Sequence, residues 1–212
     1  MAERIIGKDW INMYQVKIVD RPFDWADIPK IELKEYSWGG TYRPYVSAQM
    51  VLIRGEEFRI RMECDEQDPL ARFTENNTLV CTDSCMECFV IYKPELNDGY
   101  INFETNANGA LWNAFGPDRY DRRFLIDMGL EEPVVTIEKS DAGWSCEYGV
   151  SLETIKALYG NADFKDGDIM KGNFYKCGDE TAIPHYASWK PIDMPKPDYH
   201  QSRFFGDLRI TE

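Results

Sequence analysis

Along most of the chain, apolar and polar side chains alternate with a period of two, the pattern of strands with one face in a core. Phe58, Ile60, Met62 and Cys64 alternate with Glu57, Arg59, Arg61 and Glu63. Trp144, Cys146, Tyr148 and Val150 alternate with Ser145, Glu147 and Gly149. Further strands are expected over residues 13–19, 46–53, 85–92, 134–139, 169–177 and 204–211. One helix stands out: Ser151 is its N-cap, Leu152, Ile155, Leu158 and Tyr159 form its apolar side, and Gly160 stops it. Many strands and a single short helix predict an all-β fold, an antiparallel β-sandwich.

The segment from Tyr100 to Asn108 alternates differently. Tyr100, Asn102, Glu104, Asn106 and Asn108 share one side, and Ile101, Phe103, Thr105 and Ala107 share the other. Exposed sheet faces commonly carry Thr, Lys and Arg, so three Asn and a Glu in register suggest a surface that meets something polar. A merely solvated face is the other reading. The loop K-P-E-L-N-D-G joins this strand to the one before it. If Met86, Cys88 and Val90 face the core beside Ile101, Phe103 and Ala107, partner numbers must sum to an odd value. Glu87 then lies opposite Glu104 or two residues away, with both carboxylates on the polar face.

Two carboxylates that close allow two chemistries. A retaining glycosidase holds such a pair about 5 Å apart and needs one raised pKa. A binding site uses the same oxygens to accept from sugar hydroxyls, with Asn amides supplying both donor and acceptor. Arg119, Arg122, Arg123 or Lys176 could screen the pair. An open sheet face excludes little water, which disfavours the enzyme.

Six cysteines, at 64, 81, 85, 88, 146 and 177, include a C-x3-C-x2-C spacing that could hold an iron–sulfur cluster on a loop. On a strand, however, Cys85 and Cys88 point to opposite faces, so buried reduced thiols and no metal are expected. The formal charge of −13, from 37 acidic and 24 basic side chains, disfavours nucleic acid and anionic membrane as partners. The first ten residues lack the apolar core of a signal peptide, so the chain as written reads as cytoplasmic, or as extracellular if a leader has been removed. Neither a repeat nor a clear linker divides residues 1–212, which read as one domain.

Taken together, D-S-C-M-E-C-F, Y-I-N-F-E-T-N-A-N-G, F-G-P-D-R, G-N-F-Y-K-C-G-D-E, P-H-Y-A-S-W and F-F-G-D-L-R-I resemble carbohydrate-binding module family 9-like proteins, in consistent order over residues 46–210. The resemblance implies a jelly-roll sandwich whose concave face grips sugars, with calcium as a structural ion. Members attached to xylanases clamp a sugar between two Trp rings and hold it with a Glu and an Arg. Glu87 matches that Glu. Cys81 stands where one clamp Trp is expected, Glu104 where the Arg is expected, and the second clamp position falls near Tyr199 and His200. The chain therefore reads as a divergent, stand-alone member.

Trp189 could stack on a pyranose or pack in the core, and the same choice applies to Trp38 and Trp112. His185 and His200 accompany no nucleophile motif and read as structural. Asp163, Asp166 and Asp168 could offer oxygens to calcium, but a solvated turn is the simpler reading. The combined expectation is non-catalytic binding of a mono- or oligosaccharide through Glu87, Glu104, Asn106, Tyr175, Trp189 and Tyr199. The alternatives are a glycoside hydrolase using Glu87 and Glu104, and a structural or protein-interaction sandwich.

Overall fold

The computed structural model describes residues 13–212; the leader reading of the first ten residues lies outside them. Among the described residues fourteen strands form one hydrogen-bonded sheet, eleven of them along a single path that curls into two layers. The first layer contains β2 (Ile31–Glu32), β4 (Val46–Ile53), β5 (Glu57–Cys64), β10 (Thr136–Ser140) and β11 (Gly143–Ser151). The second runs β14 (Gly206–Thr211), β12 (Ile169–Cys177), β6 (Cys85–Ile91), β7 (Tyr100–Asn106), β8 (Leu111–Gly116), β9 (Arg123–Phe124). On its flank, β13 (His185–Ser188) pairs with β12 and with β3 (Glu35–Gly39). The chain is all-β, as the alternation predicts, but not wholly antiparallel. β1 (Tyr14–Val19) lies parallel to β14 through residues 14–17 and parallel to β4 through residues 17–19, and so joins the two layers.

Aromatic rings from the two layers meet in the core. Phe103 of β7 lies 5.3 Å from Tyr148 of β11, and Phe58 of β5 lies 5.0 Å from Tyr92 just beyond β6. β5 buries every second residue, as its sequence demands. β4 is buried at every position because a second apolar layer covers its outer face. There Val51 and Ile53 pack with Ile28, Phe23 and Trp25, and the Gln49 amide donates to the carbonyls of Trp25 and Ile28. The helix α1 (Leu152–Tyr159) has the expected ends: Ser151 Oγ accepts from Thr154 N–H at 3.0 Å, and Gly160 takes a left-handed φ of 80°. Tyr159 then donates to the Gly99 carbonyl at 2.7 Å, tying the helix to the β6–β7 hairpin.

At the start of β11 the chain passes so close to β5 that a Cβ on Gly143 would lie 2.0 Å from the Cys64 carbonyl oxygen, at a φ of 134°. Both the clash and the left-handed backbone oppose any side chain. Gly143→Ala is expected to lose about 1–3 kcal/mol, read as a lower urea midpoint at unchanged slope. No helix of the described residues is long and apolar enough to cross a membrane.

Candidate functional site

The polar row of β7 is not a solvated face. Asn102, Glu104 and Asn106 are buried, as is every other residue of β6 and β7. Loops lie across the sheet, and the amides of the row hold one of them. Asn106 donates to the Phe73 carbonyl and to Asp83, and Asn108 donates to the Ala71 and Phe73 carbonyls. Asp83 is fully buried and also accepts from the N–H groups of Arg72 and Phe73. Those Asn residues thus serve the fold by satisfying loop backbone groups that would otherwise be buried unpaired.

Where the loops part, a cavity of about 190 Å³ opens over the middle of β6, β7 and β12. Glu87 and Glu104 line it as directly opposed partners across β6 and β7, one of the registers that strand parity allows. Cys81 and Cys177 lie beside Glu87. Trp112, Tyr186, Tyr199 and His200 supply aromatic walls, and Arg119, Arg122, Asp179 and Asp198 supply charge. Of the expected contact residues, Glu87, Glu104 and Tyr199 come together here. Asn106 is engaged with its loop. Tyr175 is wholly buried behind the wall, with its ring stacked 4.1 Å from Tyr199 and its hydroxyl donating to the Tyr199 carbonyl. Trp189 packs edge-on against Phe174 with the Lys190 ammonium 4.3 Å from its ring, and is not among the residues that line the cavity.

Each lining side chain is held by its neighbours. The Tyr199 hydroxyl donates to the Lys176 carbonyl at 2.9 Å, fixing the ring on β12. Trp38 lies behind it, its ring 5.9 Å from that of Tyr199 and its indole N–H donating to the Met194 carbonyl. Arg122 sits 5.3 Å over the Trp112 ring and 3.8 Å from Glu104, while Arg119 donates to Asp198 at 2.9 Å. His200 is joined to the Tyr100 hydroxyl at 2.7 Å. Burial, together with Arg122 and Arg119, lowers its pKa to about 2, so it is a neutral wall residue.

The two glutamates have distinct surroundings. Burial lifts the Glu104 carboxyl to about 7, against the opposing pull of Arg122 and a 2.8 Å hydrogen bond from the Asn102 amide. Burial and then the facing Glu104 charge push Glu87 well above the usual carboxylate range, and its hydrogen-bond donor is the Cys177 thiol at 2.9 Å. The expected screening comes from Arg122 and Arg119. Arg123 turns away to the Asp127 carbonyl, and Lys176 points to the other side of β12 and pairs with Glu66. Lining residues outside the expected contact set include Arg119, Arg122, Asp179, Tyr186, Asp198 and His200, together with Trp112, which the sequence offers only as a stacking or core ring. The F-G-P-D-R and G-D-E strings carried Arg119 and Asp179, but only the folded loops bring them to Glu87.

All six cysteines are free thiols, and Cys85 and Cys88 do point to opposite faces. Cys85, Glu87 and Cys177 place their ligand atoms within 4.8 Å of one another. That thiol-rich set suits a soft cation and not calcium, which takes oxygen ligands. The Asp163–Asp168 turn does not suit calcium either. The Lys93 ammonium already bonds the Asp163 carbonyl and lies 3.8 Å from Asp168, and Arg209 lies 3.7 Å from Asp166.

The fold has counterparts among solved structures. A crystal structure of a candidate carbohydrate-binding protein from Bacteroides uniformis matches with a TM-score of 0.73 and 26% identity, over 93% of this chain and 99% of that one. A family 9 carbohydrate-binding module from Caldicellulosiruptor kristjanssonii matches in its complex with cellotriose (TM-score 0.62, 93% of each chain) and with glucose (TM-score 0.63, 93% and 95%). At 13% identity those two establish the shared fold. Among curated proteins none matches the chain. The sequence model of carbohydrate-binding family 9 matches residues 17–210, nearly the whole described chain. A curled two-layer sheet carrying a glutamate-floored, aromatic-walled cavity, together with that match, shows that the chain belongs to carbohydrate-binding family 9.

Proposed function

We propose that the protein binds a carbohydrate without transforming it, in the cavity over Glu87 and Glu104. The observation that carries this reading is a pair of carboxylates facing each other at the floor of a small cavity walled by Trp112, Tyr186 and Tyr199. Carboxylate oxygens and guanidinium N–H groups meet the two halves of a hydroxyl's hydrogen-bonding capacity. The aromatic walls offer flat apolar partners to the C–H faces of a ring. The cavity is smaller than the roughly 300–1,000 Å³ of drug-sized sites, which suits one sugar ring and leaves further rings in solvent. Related modules that have been crystallised with cellotriose and glucose support the ligand class.

Tryptophan fluorescence titrated with a panel of hexoses tests this. Glu87→Ala is expected to weaken binding roughly 10- to 100-fold, the size of a lost hydrogen bond to a charged group. Unchanged affinity would place the sugar elsewhere. One observation favours a hydrolase: a carboxyl near 7 is what a general acid needs. Both carboxyls, however, lie side by side beneath the ligand instead of flanking a scissile bond. Release of reducing sugar that Glu104→Gln abolishes would decide for the enzyme.

A further inference from the structure

The charges around the cavity are unevenly distributed. Arg119 is bonded to Asp198, and Arg122 lies against Glu104 and the Trp112 ring. Glu87, facing Glu104, and Asp179 make no ion pair within 4.0 Å among the described residues, and Arg119 only partly offsets the Glu87 charge. Glu87 is 2% exposed, lines the cavity and accepts from a thiol, a weak donor for a buried carboxylate. Four carboxyl groups and two guanidiniums line the cavity, and burial favours the protonated form of Glu87 and Glu104 until a cation joins them.

A neutral hexose can offer Glu87 a hydroxyl partner, but it brings no charge that would let the buried carboxyl ionise in a site from which it displaces water. A buried anion is stable only when it is paired or neutralised. A cationic ligand supplies the missing partner. Resting on the sugar-binding reading above, we propose that the cavity selects an amino sugar with a free, protonated amine, whose ammonium sits between Glu87 and Asp179 while Arg119 and Arg122 face its hydroxyls. Acetylation of the amine removes the charge and adds bulk, so the N-acetyl sugar is excluded from the preference. Glu104, which already has Arg122 at 3.8 Å, contributes less to the discrimination.

The test compares glucose, glucosamine and N-acetylglucosamine by calorimetric titration of the whole chain at pH 6 and low ionic strength. Glucosamine is expected to bind at least 10-fold more tightly than glucose, and N-acetylglucosamine no better than glucose. The preference should shrink as salt is raised to 0.5 M, because part of it is charge attraction. Asp179→Asn, at an exposed position that does not endanger folding, should reduce the glucosamine-to-glucose ratio several-fold whatever happens to either affinity. Glu87→Gln should bring that ratio close to one. Glucose binding as tightly as glucosamine would overturn the amine preference and leave the carbohydrate reading standing. A ratio that survives both substitutions would overturn the placement of the ammonium. Failure of every sugar, neutral hexoses included, would remove both readings together.

Discussion

Lys176→Met is expected to cost about 3–5 kcal/mol of folding stability, read as a drop in the denaturant midpoint of the purified chain. Lys176 is wholly buried, and its ammonium donates to the Ser84 hydroxyl and the Cys177 carbonyl, each at 2.9 Å. It lies 3.2 Å from Glu66 and 2.8 Å from His185 Nε2, with Trp144 donating to the same carboxylate from the other layer. Burial works against an ionised Glu66, yet Lys176, the Ser84 hydroxyl and His185 together hold its pKa below the ordinary value. Methionine fills the space of the lysine stem but leaves Glu66 charged and unpaired between two sheets. The loss should therefore shrink on acidification, when Glu66 takes up a proton. It should also shrink in the double variant Glu66→Gln, Lys176→Met, where no charge remains. A loss under 1 kcal/mol in Lys176→Met would show that water reaches Glu66.

A second large effect is expected from pH. Glu104 is fully buried with a pKa near 7, against 4.5 for the free side chain, and Glu87 is raised as well. Between these values the folded state holds protons that the unfolded chain has released, so stability falls as pH rises through the window. At about 1.4 kcal/mol per pKa unit, Glu104 alone accounts for roughly 3 kcal/mol between pH 4.5 and pH 7. The depressed group Glu66 acts in the opposite sense and below that window, where its contribution disappears as pH falls through its folded pKa. Denaturation at pH 5 and pH 8 separates the two. Glu104→Gln should flatten the upper slope and make the protein more stable than the parent at pH 8. An equally steep slope in that variant would assign the titration to another group.

Alternation made much of the fold legible. Residues 46–53 and 169–177 form strands with the expected bounds, and Ser151 and Gly160 mark the helix ends, because local burial and capping decide those elements. The strands Glu35–Gly39 and His185–Ser188 were not legible. They pair with each other across a register shift at Tyr186 and Ser188, and their sequences carry no run of alternating apolar residues. Parity alone placed Glu87 opposite Glu104 or a residue two away, and the structure selects Glu104. The same parity could not tell a wet face from a covered one, since an Asn that binds a loop carbonyl and an Asn that binds a ligand read alike. The covering loops account for this difference. Asn106 and Asn108 are consumed by residues 71–73, far away in sequence, whereas Tyr199 and His200 reach the site from a loop whose path no local pattern encodes. Trp189 shows the opposite case, an aromatic at the end of a strand whose partner is the core ring of Phe174.

The seam made by β1 bears on how the molecule comes into being. Its first half is zipped to the last strand of the chain, Tyr14 opposite Leu208, while its second half lies on β4. During synthesis β1 leaves the ribosome long before β14, so that half of it has no partner until the strands between them have emerged. Contacts between segments far apart in sequence carry a large loop-closure cost and slow folding. The two layers are thus fastened late, by strands far apart in sequence, and until then the nascent protein exposes two bare strand edges.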